Sequence, residues 1–419
     1  MVPTGSDICA LIAQGERDKR GPRAQILINT RVDNTRVDNA GLVVPGPCTG
    51  GLPANDTWRI EVEFGLLYEW QMPAGVSRAD ESRHFLNMME QIRLAEELGF
   101  TSVWSVEHHF LENFSHASAP EVLLSWIAAQ TKTIRVGHGV RLLPYPYNHP
   151  IRAAEQAATL DLLSRGRLEF GTGRSATAAE LGGFGIDPAE TRDMWRESLE
   201  LILKAWRNPV VEHEGKYFNQ VARPMVPKPL QSPHPPLWMS CTSPESHEVA
   251  GALGLGLLSF TLALAFEEVA SRIAMYRQRI KTATPIGDYV NNQTAVFTMA
   301  HCAATAELAR QRAEAGVMRY QHDQIALLTS LLPELKENSS YDYYGRFVGV
   351  DYDKFTYDYL DSRNMILVGD PERCIHLAKQ YEAIGVDRLL LFVQYADMPH
   401  EHTMDSLRLF GTEVLPAFS

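Results

Sequence analysis

What this chain lacks narrows it first. No apolar run approaches the roughly 18 residues that a membrane-spanning helix needs. Positive charge is in deficit: 39 Lys and Arg stand against 51 Asp and Glu, a formal net charge of −12. That balance gives no broad electrostatic footprint for nucleic acid or an anionic membrane, so neither is expected as a partner. Cysteine is sparse. Cys9, Cys48, Cys241, Cys302 and Cys374 are scattered without CxxC spacing, which argues against a disulfide framework or zinc site and for a reducing, cytoplasmic compartment. Each reads as a small buried hydrophobe. HExxH spacing is also absent, and no metal is expected.

What is present falls into two textures. Residues 1–57 are rich in Gly, Pro, Asp and Arg, and repeat TRVDN at 30–34 and 35–39 with no sustained period. In the opening 20 residues the only apolar stretch, Ile8 to Ala13, is short of a secretory core. This segment reads as an irregular, flexible N-terminal extension, and residues 58–419 as one domain. From Ile60 strands and helices alternate. Strands are expected at 61–70, 102–106, 134–143, 167–170, 237–241, 256–261, 293–300 and 388–393. Helices are expected at 82–98, 120–131, 150–163, 244–253, 266–280, 305–315, 371–384 and 402–410. Eight strand and helix units in one domain point to an α/β fold, a (β/α)8 TIM barrel with insertions, rather than an open doubly wound sheet.

In such a barrel the chemistry sits where the strands end. The second strand runs into Ser105-Val-Glu-His-His-Phe110, the third into Leu143-Pro-Tyr-Pro-Tyr-Asn-His-Pro150, the fourth into GTGRS at 171–175 and the fifth into SCTSPES at 240–246. Neighbouring strand residues point to opposite faces, so His108 and His109 cannot both reach one metal ion. One faces the barrel mouth as a base or donor, and the other packs against the neighbouring helix. GTGRSA at 171–176 matches the dinucleotide pattern GxGxxA, but the chain then enters LGGFGIDP at 181–188, which holds no long helix. What survives is a glycine-lined strand end with Arg174 available to a phosphate or carboxylate. Ser243 followed by Pro244 is a helix start, and a helix start attracts anions. Taken alone, the serine serves equally well as a simple cap. Beside Arg174 it makes a phosphate clamp.

The segments GFTSVWSVEHHF (99–110), TKTIRVGHGVRLLPYPYNHPIRAAEQAATLDLLSRGRLEFGTGR (131–174) and PLWMSCTSPES (236–246), in that order, resemble the bacterial luciferase-like, flavin-dependent monooxygenase family. The resemblance spans about residues 60–415. It implies a barrel that binds reduced FMN from a separate flavin reductase and activates O2 as a C4a-(hydro)peroxyflavin. An organic substrate is then oxygenated, by hydroxylation or in the Baeyer–Villiger manner. By motif, His108 matches the family's active-site histidine and Arg174 its FMN phosphate ligand. Ser243 and Ser246 match the hydroxyls at that phosphate, and Thr242 contributes through its backbone. Gly139 and Val140 match the pair beneath the flavin ring, where the family often has a non-proline cis peptide. A homodimer is likewise implied by the resemblance.

Two departures stand out. Gly173 replaces the cysteine that luciferases place beside the flavin, and the loop through Tyr145 and Tyr147 is longer, so neither light emission nor a simple long-chain aldehyde substrate is expected. A coenzyme F420-dependent hydride-transfer enzyme and a non-catalytic flavin-binding protein are the alternatives on the same fold. The insertion at about 321–364 carries six tyrosines and two phenylalanines between 341 and 359. The resemblance implies a mobile lid there, which would keep water from the flavin chemistry. A second hydrophobic layer or a dimer contact is the competing use of those aromatics.

Overall fold

Eight parallel strands form a closed ring: β1 (Glu63–Tyr68), β2 (Ser102–Ser105), β3 (Arg135–His138), β4 (Leu168–Gly173), β5 (Leu237–Cys241), β6 (Gly256–Phe260), β7 (Thr294–Cys302) and β8 (Arg388–Phe392). Each pairs in parallel with the next, and β8 pairs back onto β1. The computed structural model describes residues 61–418 apart from 73–74, 262–263, 336–338 and 352, together with two short strands near the N-terminus. The chain divides into two units, Met1–Arg59 and Ile60–Ser419. In the first, Thr35–Val37 pairs antiparallel with Val43–Pro45, so the second copy of the duplicated pentapeptide begins a strand. The expectations for the rest of residues 1–57 lie outside the described residues. Among the described residues, no helix is long and apolar enough to cross a membrane.

Every position of β2, β4, β7 and β8 is buried, as both faces of a parallel sheet are covered here. Capping fixes several helix starts. Ser77 accepts from the Asp80 N–H ahead of helix Arg78–Leu98, and Asp370 from Arg373 ahead of helix Pro371–Ala383. The structure departs from the expected elements in three places. The third strand is broken: Arg135–His138 and Arg141–Leu142 flank Gly139 and Val140, joined by a cis peptide bond. The helix expected to end at Ala315 continues to Ser330, so the first part of the expected insertion is helical. Gly316 does not stop it. A Cβ there would lie 3.0 Å from the Tyr395 ring, so the glycine permits a close approach. Finally, helix Thr191–Arg207 and the hairpin Val210–Glu214 with Asn219–Pro224 fill the stretch between the fourth and fifth units that the sequence reading left without elements.

A buried carboxylate ties the N-terminal end of the barrel together. Glu169 on β4 accepts from Arg135 Nε, from Arg388 Nη1 at 3.0 Å and from Trp238 Nε1 at 2.7 Å. Arg388 also reaches Glu63 at 3.1 Å and lies 5.2 Å over the Trp238 ring. Trp238 in turn meets Trp104 edge to face. The Trp104 ring fits because residue 137 is glycine: a Cβ there would fall 2.3 Å from it. One carboxylate thus links β3, β4, β5 and β8. Glu169→Ala leaves Arg135 without a carboxylate and Arg388 with Glu63 alone, and it is expected to lower the unfolding free energy by ~3–5 kcal/mol. Urea unfolding of the full chain measures this; a loss below ~1 kcal/mol would mean the cluster does not hold the barrel.

Candidate active site

At the other end of the strands lies a cavity of about 1120 Å³, including its mouth. The end of β1 supplies Glu69, the loop after β2 Glu107 and His108, and the broken third strand Gly139 and Val140. Gly173 and Arg174 come from the end of β4, and Thr242, Ser243 and Ser246 follow β5. All seven residues expected at the site, His108, Gly139, Val140, Arg174, Thr242, Ser243 and Ser246, line this one cavity.

The tripeptide Glu107-His108-His109 lies just past the end of β2; Glu107 and His109 stay in contact, Oε1 to Nε2 at 3.3 Å, while His108 turns the other way. Glu107 is buried and structural: its carboxylate accepts from the Leu142 N–H at 2.9 Å and Asn148 Nδ2 at 2.8 Å, which holds the segment after the cis bond. His109 stacks on Tyr147 and meets Phe184 edge to face. His108 enters the cavity. Its Nδ1 lies 3.0 Å from Glu180 Oε1, and its Nε2 lies 3.5 Å from Glu69 Oε2.

The two carboxylates differ in environment. Glu180 sits in the short helix Ala178–Gly183, where its oxygens accept from the His109 N–H at 3.0 Å, the Ser175 hydroxyl at 2.8 Å and the Thr177 hydroxyl at 2.7 Å. Burial opposes its charge, but His108 and these hydroxyls outweigh burial and hold its carboxyl below the ordinary range. Glu69 has one donor, the Tyr320 hydroxyl at 2.8 Å, and its Oε2 is buried with no hydrogen-bond partner. Burial pushes its carboxyl up, against the pull of His108 and Tyr320. Burial also opposes a charge on His108, yet Glu180, then Glu69 and Glu107, overcome it and push the imidazole up to about 9. His108 is therefore an imidazolium at neutral pH.

The cradle at the opposite side begins with Ser243, which caps helix Pro244–Ala252 in a reciprocal box with Ser246. Arg174 donates to Ser340 at 2.9 Å and Thr191 at 3.1 Å, and its guanidinium lies 4.8 Å over the Tyr341 ring. The Thr242 and Tyr344 hydroxyls lie 3.1 Å apart, and Arg272 bonds both the Thr242 carbonyl and the Tyr343 hydroxyl. The aromatic run of the insertion thus lies directly on the cradle. Gly173 has a local reason: a Cβ there would fall 2.3 Å from Val140 Cγ2, so a cysteine at this position requires Val140 to move.

Sequence reasoning missed Glu69, Glu180, Tyr320, Thr191 and Ser340. Two signals were available. Glu69 is an acid closing an otherwise apolar strand, and Thr177 with Glu180 has capping-box spacing. Neither signal reveals the partner, because His108 is 39 residues from one and 72 from the other along the chain.

A closed (β/α)8 barrel with an imidazolium and a cationic cradle converging at its C-terminal mouth defines an enzyme of the barrel class. The chain belongs to the luciferase-like monooxygenase family, whose model matches residues 62–388. It is 27% identical over 342 residues to the oxygenase component of the flavin-dependent trigonelline monooxygenase of Acinetobacter baylyi, covering 79% of this chain and 89% of that protein. The crystal structure of a Streptomyces bottropensis monooxygenase shares the fold at a TM-score of 0.71 and 25% identity, covering 85% of this chain and 100% of that one. The oxygenating constituent of 3,6-diketocamphane monooxygenase from Pseudomonas putida, solved with FMN, does so at 0.66 and 23%, covering 85% and 98%. The chain is accordingly an oxidoreductase of the flavin-dependent monooxygenase class.

The elevated affinity of His108 for its proton has a signed consequence for stability. The folded state binds that proton more tightly than the unfolded chain, so the contribution is complete below about pH 6.5 and is lost as pH rises through about 9. His108→Gln is expected to remove this part of the pH slope, which urea midpoints taken between pH 6 and pH 10 will reveal. Identical slopes in the two proteins would contradict it.

Proposed function

We propose that the chain is a reduced-FMN-dependent monooxygenase that receives FMNH2 from a separate flavin reductase and uses O2 to oxygenate a small organic substrate. The observation that carries this reading is the meeting of a carboxylate-bracketed imidazolium and a cationic cradle at a helix start within one cavity. The residues fit FMN on two counts. Arg174, with the Ser243 hydroxyl and the dipole at the start of helix Pro244–Ala252, offers charge and a donor to a phosphate, while the Ser243 and Ser246 N–H groups are held in their own capping box. Gly139 and Gly173 keep the cavity floor free of side chains, so a flat ring can lie close to the backbone there, beside Val140.

Bound reduced FMN supplies the two electrons that let one oxygen atom of O2 enter the substrate while the other leaves as water. The chain's own residues serve that chemistry in distinct ways. His108 holds a proton on a nitrogen facing the cavity, and Glu180 fixes the ring's orientation through Nδ1. Thr242 supports the cradle through its backbone, since its carbonyl is held by Arg272 and its hydroxyl lies against Tyr344. Leu327, Leu328, Tyr341, Tyr343 and Tyr344 wall the cavity and serve as a lid that keeps water out.

A homodimer belongs to the proposal. Leu86, Val122, Leu162 and Leu163 are exposed on three consecutive outer helices and give it an apolar face. The buried, unpaired thiols of Cys241, Cys302 and Cys374 suit a reducing cytoplasm.

Two measurements test the reading. When anaerobic protein with reduced FMN is mixed with O2, a transient absorbance unlike either oxidised or reduced FMN is expected, with less hydrogen peroxide released than by free FMNH2. His108→Ala should shorten the transient. Reoxidation indistinguishable from that of free flavin, or tight binding of coenzyme F420 without binding of FMN, would overturn the proposal. Arg174→Ala is expected to weaken FMN binding roughly 10–100-fold, the worth of a charge-assisted hydrogen bond, and to leave riboflavin binding unchanged. Fluorescence titration with the two flavins separates these outcomes.

A further inference from the structure

We propose that Glu69 is the proton partner of His108, the two holding the site's transferable proton between His108 Nε2 and Glu69 Oε2. The assignment of a use for that proton rests on the monooxygenase reading; the pair itself rests on geometry alone. Two carboxylates bracket one imidazole, and only one of them has capacity left. Glu180 is saturated by the Nδ1 side of His108, the His109 N–H and two hydroxyls, which makes it a fixed anion that keeps a proton on Nδ1. Glu69 offers the opposite. Its Oε1 is occupied by Tyr320, while its Oε2 is buried, lines the cavity, lacks any hydrogen-bond partner and lies 3.5 Å from Nε2.

An orphaned buried acceptor of this kind is unfavourable until something donates to it. An approach of roughly half an ångström turns the contact into an Nε2–H to Oε2 hydrogen bond. Transfer along it breaks the Nε2–H bond and forms Oε2–H, converting imidazolium and carboxylate into imidazole and carboxylic acid with no other reactant. Both end states keep a proton at the cavity wall.

The groups facing this pair are consistent with it. Tyr320 from helix Ala306–Ser330 is the only hydroxyl that donates to the Glu69 carboxylate among the described residues, and Glu180 opposes a second negative charge nearby. Glu107 adds to the pull on His108. Burial favours the protonated form of Glu69, so the carboxyl is suited to accept as well as to release. Phe114 meets His108 edge to face and stacks on Tyr320, packing the dry side of the pair. Glu69 acts through His108 and is a positioning and proton-sharing residue.

Diethyl pyrocarbonate modifies only neutral imidazole, so the rate of His108 modification against pH, read by peptide mass spectrometry on the flavin-free full chain, reports its protonation. The wild-type midpoint is expected near pH 9. Glu69→Gln keeps an acceptor for Tyr320 but cannot take a proton, and should lower the midpoint by about one pH unit or more, with Glu69→Asp recovering part of the shift. Tyr320→Phe, which leaves Glu69 in place but favours its neutral form, should lower the midpoint by less, and it serves as the second arm if Glu69→Gln does not fold. An unchanged midpoint in whichever of these variants is folded overturns the pairing. FMN titration of the wild type is independent: its failure would sink the cofactor reading and leave this titration standing.

Discussion

A single buried carboxylate ties four strands of the closed barrel together at its N-terminal end. Glu169 gathers guanidinium and indole groups from three other strands, and through Arg388 it also reaches Glu63 on β1. A buried anion of this kind is tolerable only because Arg135 and Arg388 converge on it. Its position near the N-terminal ends of the strands sets their register, and register decides which residues arrive at the opposite ends. A one-residue slip of β2 would send the side chains that precede Glu107 and His108 to the other face of the sheet. The geometry at the mouth therefore inherits its precision from an ionic layer at the base that touches none of it.

Four buried glutamates among the described residues have four environments, and those environments rather than the residue type set their roles. Glu169 faces two arginines and is structural. Glu107 accepts from a backbone N–H and an asparagine, and fixes the chain beyond the cis bond. Glu180 is surrounded by donors and stays ionised. Glu69 has one donor and an open oxygen, and its carboxyl is pushed up by burial. A pair of carboxylates whose proton affinities are driven apart on either side of one imidazole is what acid and base division of labour requires. That pattern is legible only in three dimensions.

The sequence carried the barrel because parallel strands buried on both faces, alternating with capped amphipathic helices, leave a strong periodic signature. Pro150–Leu163 and Leu237–Cys241 fall where the pattern put them. The misreadings came from local rules yielding to packing. Gly316 lies inside a helix because Tyr395 packs against it, and helix Thr191–Arg207 was obscured by the glycine-rich turn before it. Arg174, Ser243 and the histidine pair were readable because they lie where strands end, and strand ends converge; Gly139, Val140, Thr242 and Ser246 came from the family resemblance. Glu180 and Tyr320 lie on helices and Glu69 just past the first strand, and their contacts with His108 or with one another span up to 251 residues. No spacing rule reaches that far.

The insertion explains why the cavity has two unlike ends. The helix that runs into it, Ala306–Ser330, presents Tyr320 to Glu69 and so supports the proton-holding end. The segment that follows places Ser340 and Tyr341 on Arg174 and Tyr344 on Thr242, at the cradle. One stretch of chain therefore touches both ends, but with different rigidity. A long helix packed on the barrel through Ala309, Ala313 and Val317 is hard to displace. The short turns at 342–347 are held to the cradle largely by hydroxyl contacts and by the arginine stacking. An anion that takes the charge of Arg174 competes directly with Ser340 and with the Tyr341 ring. Occupancy of the cradle and the position of the tyrosine segment are thus physically linked.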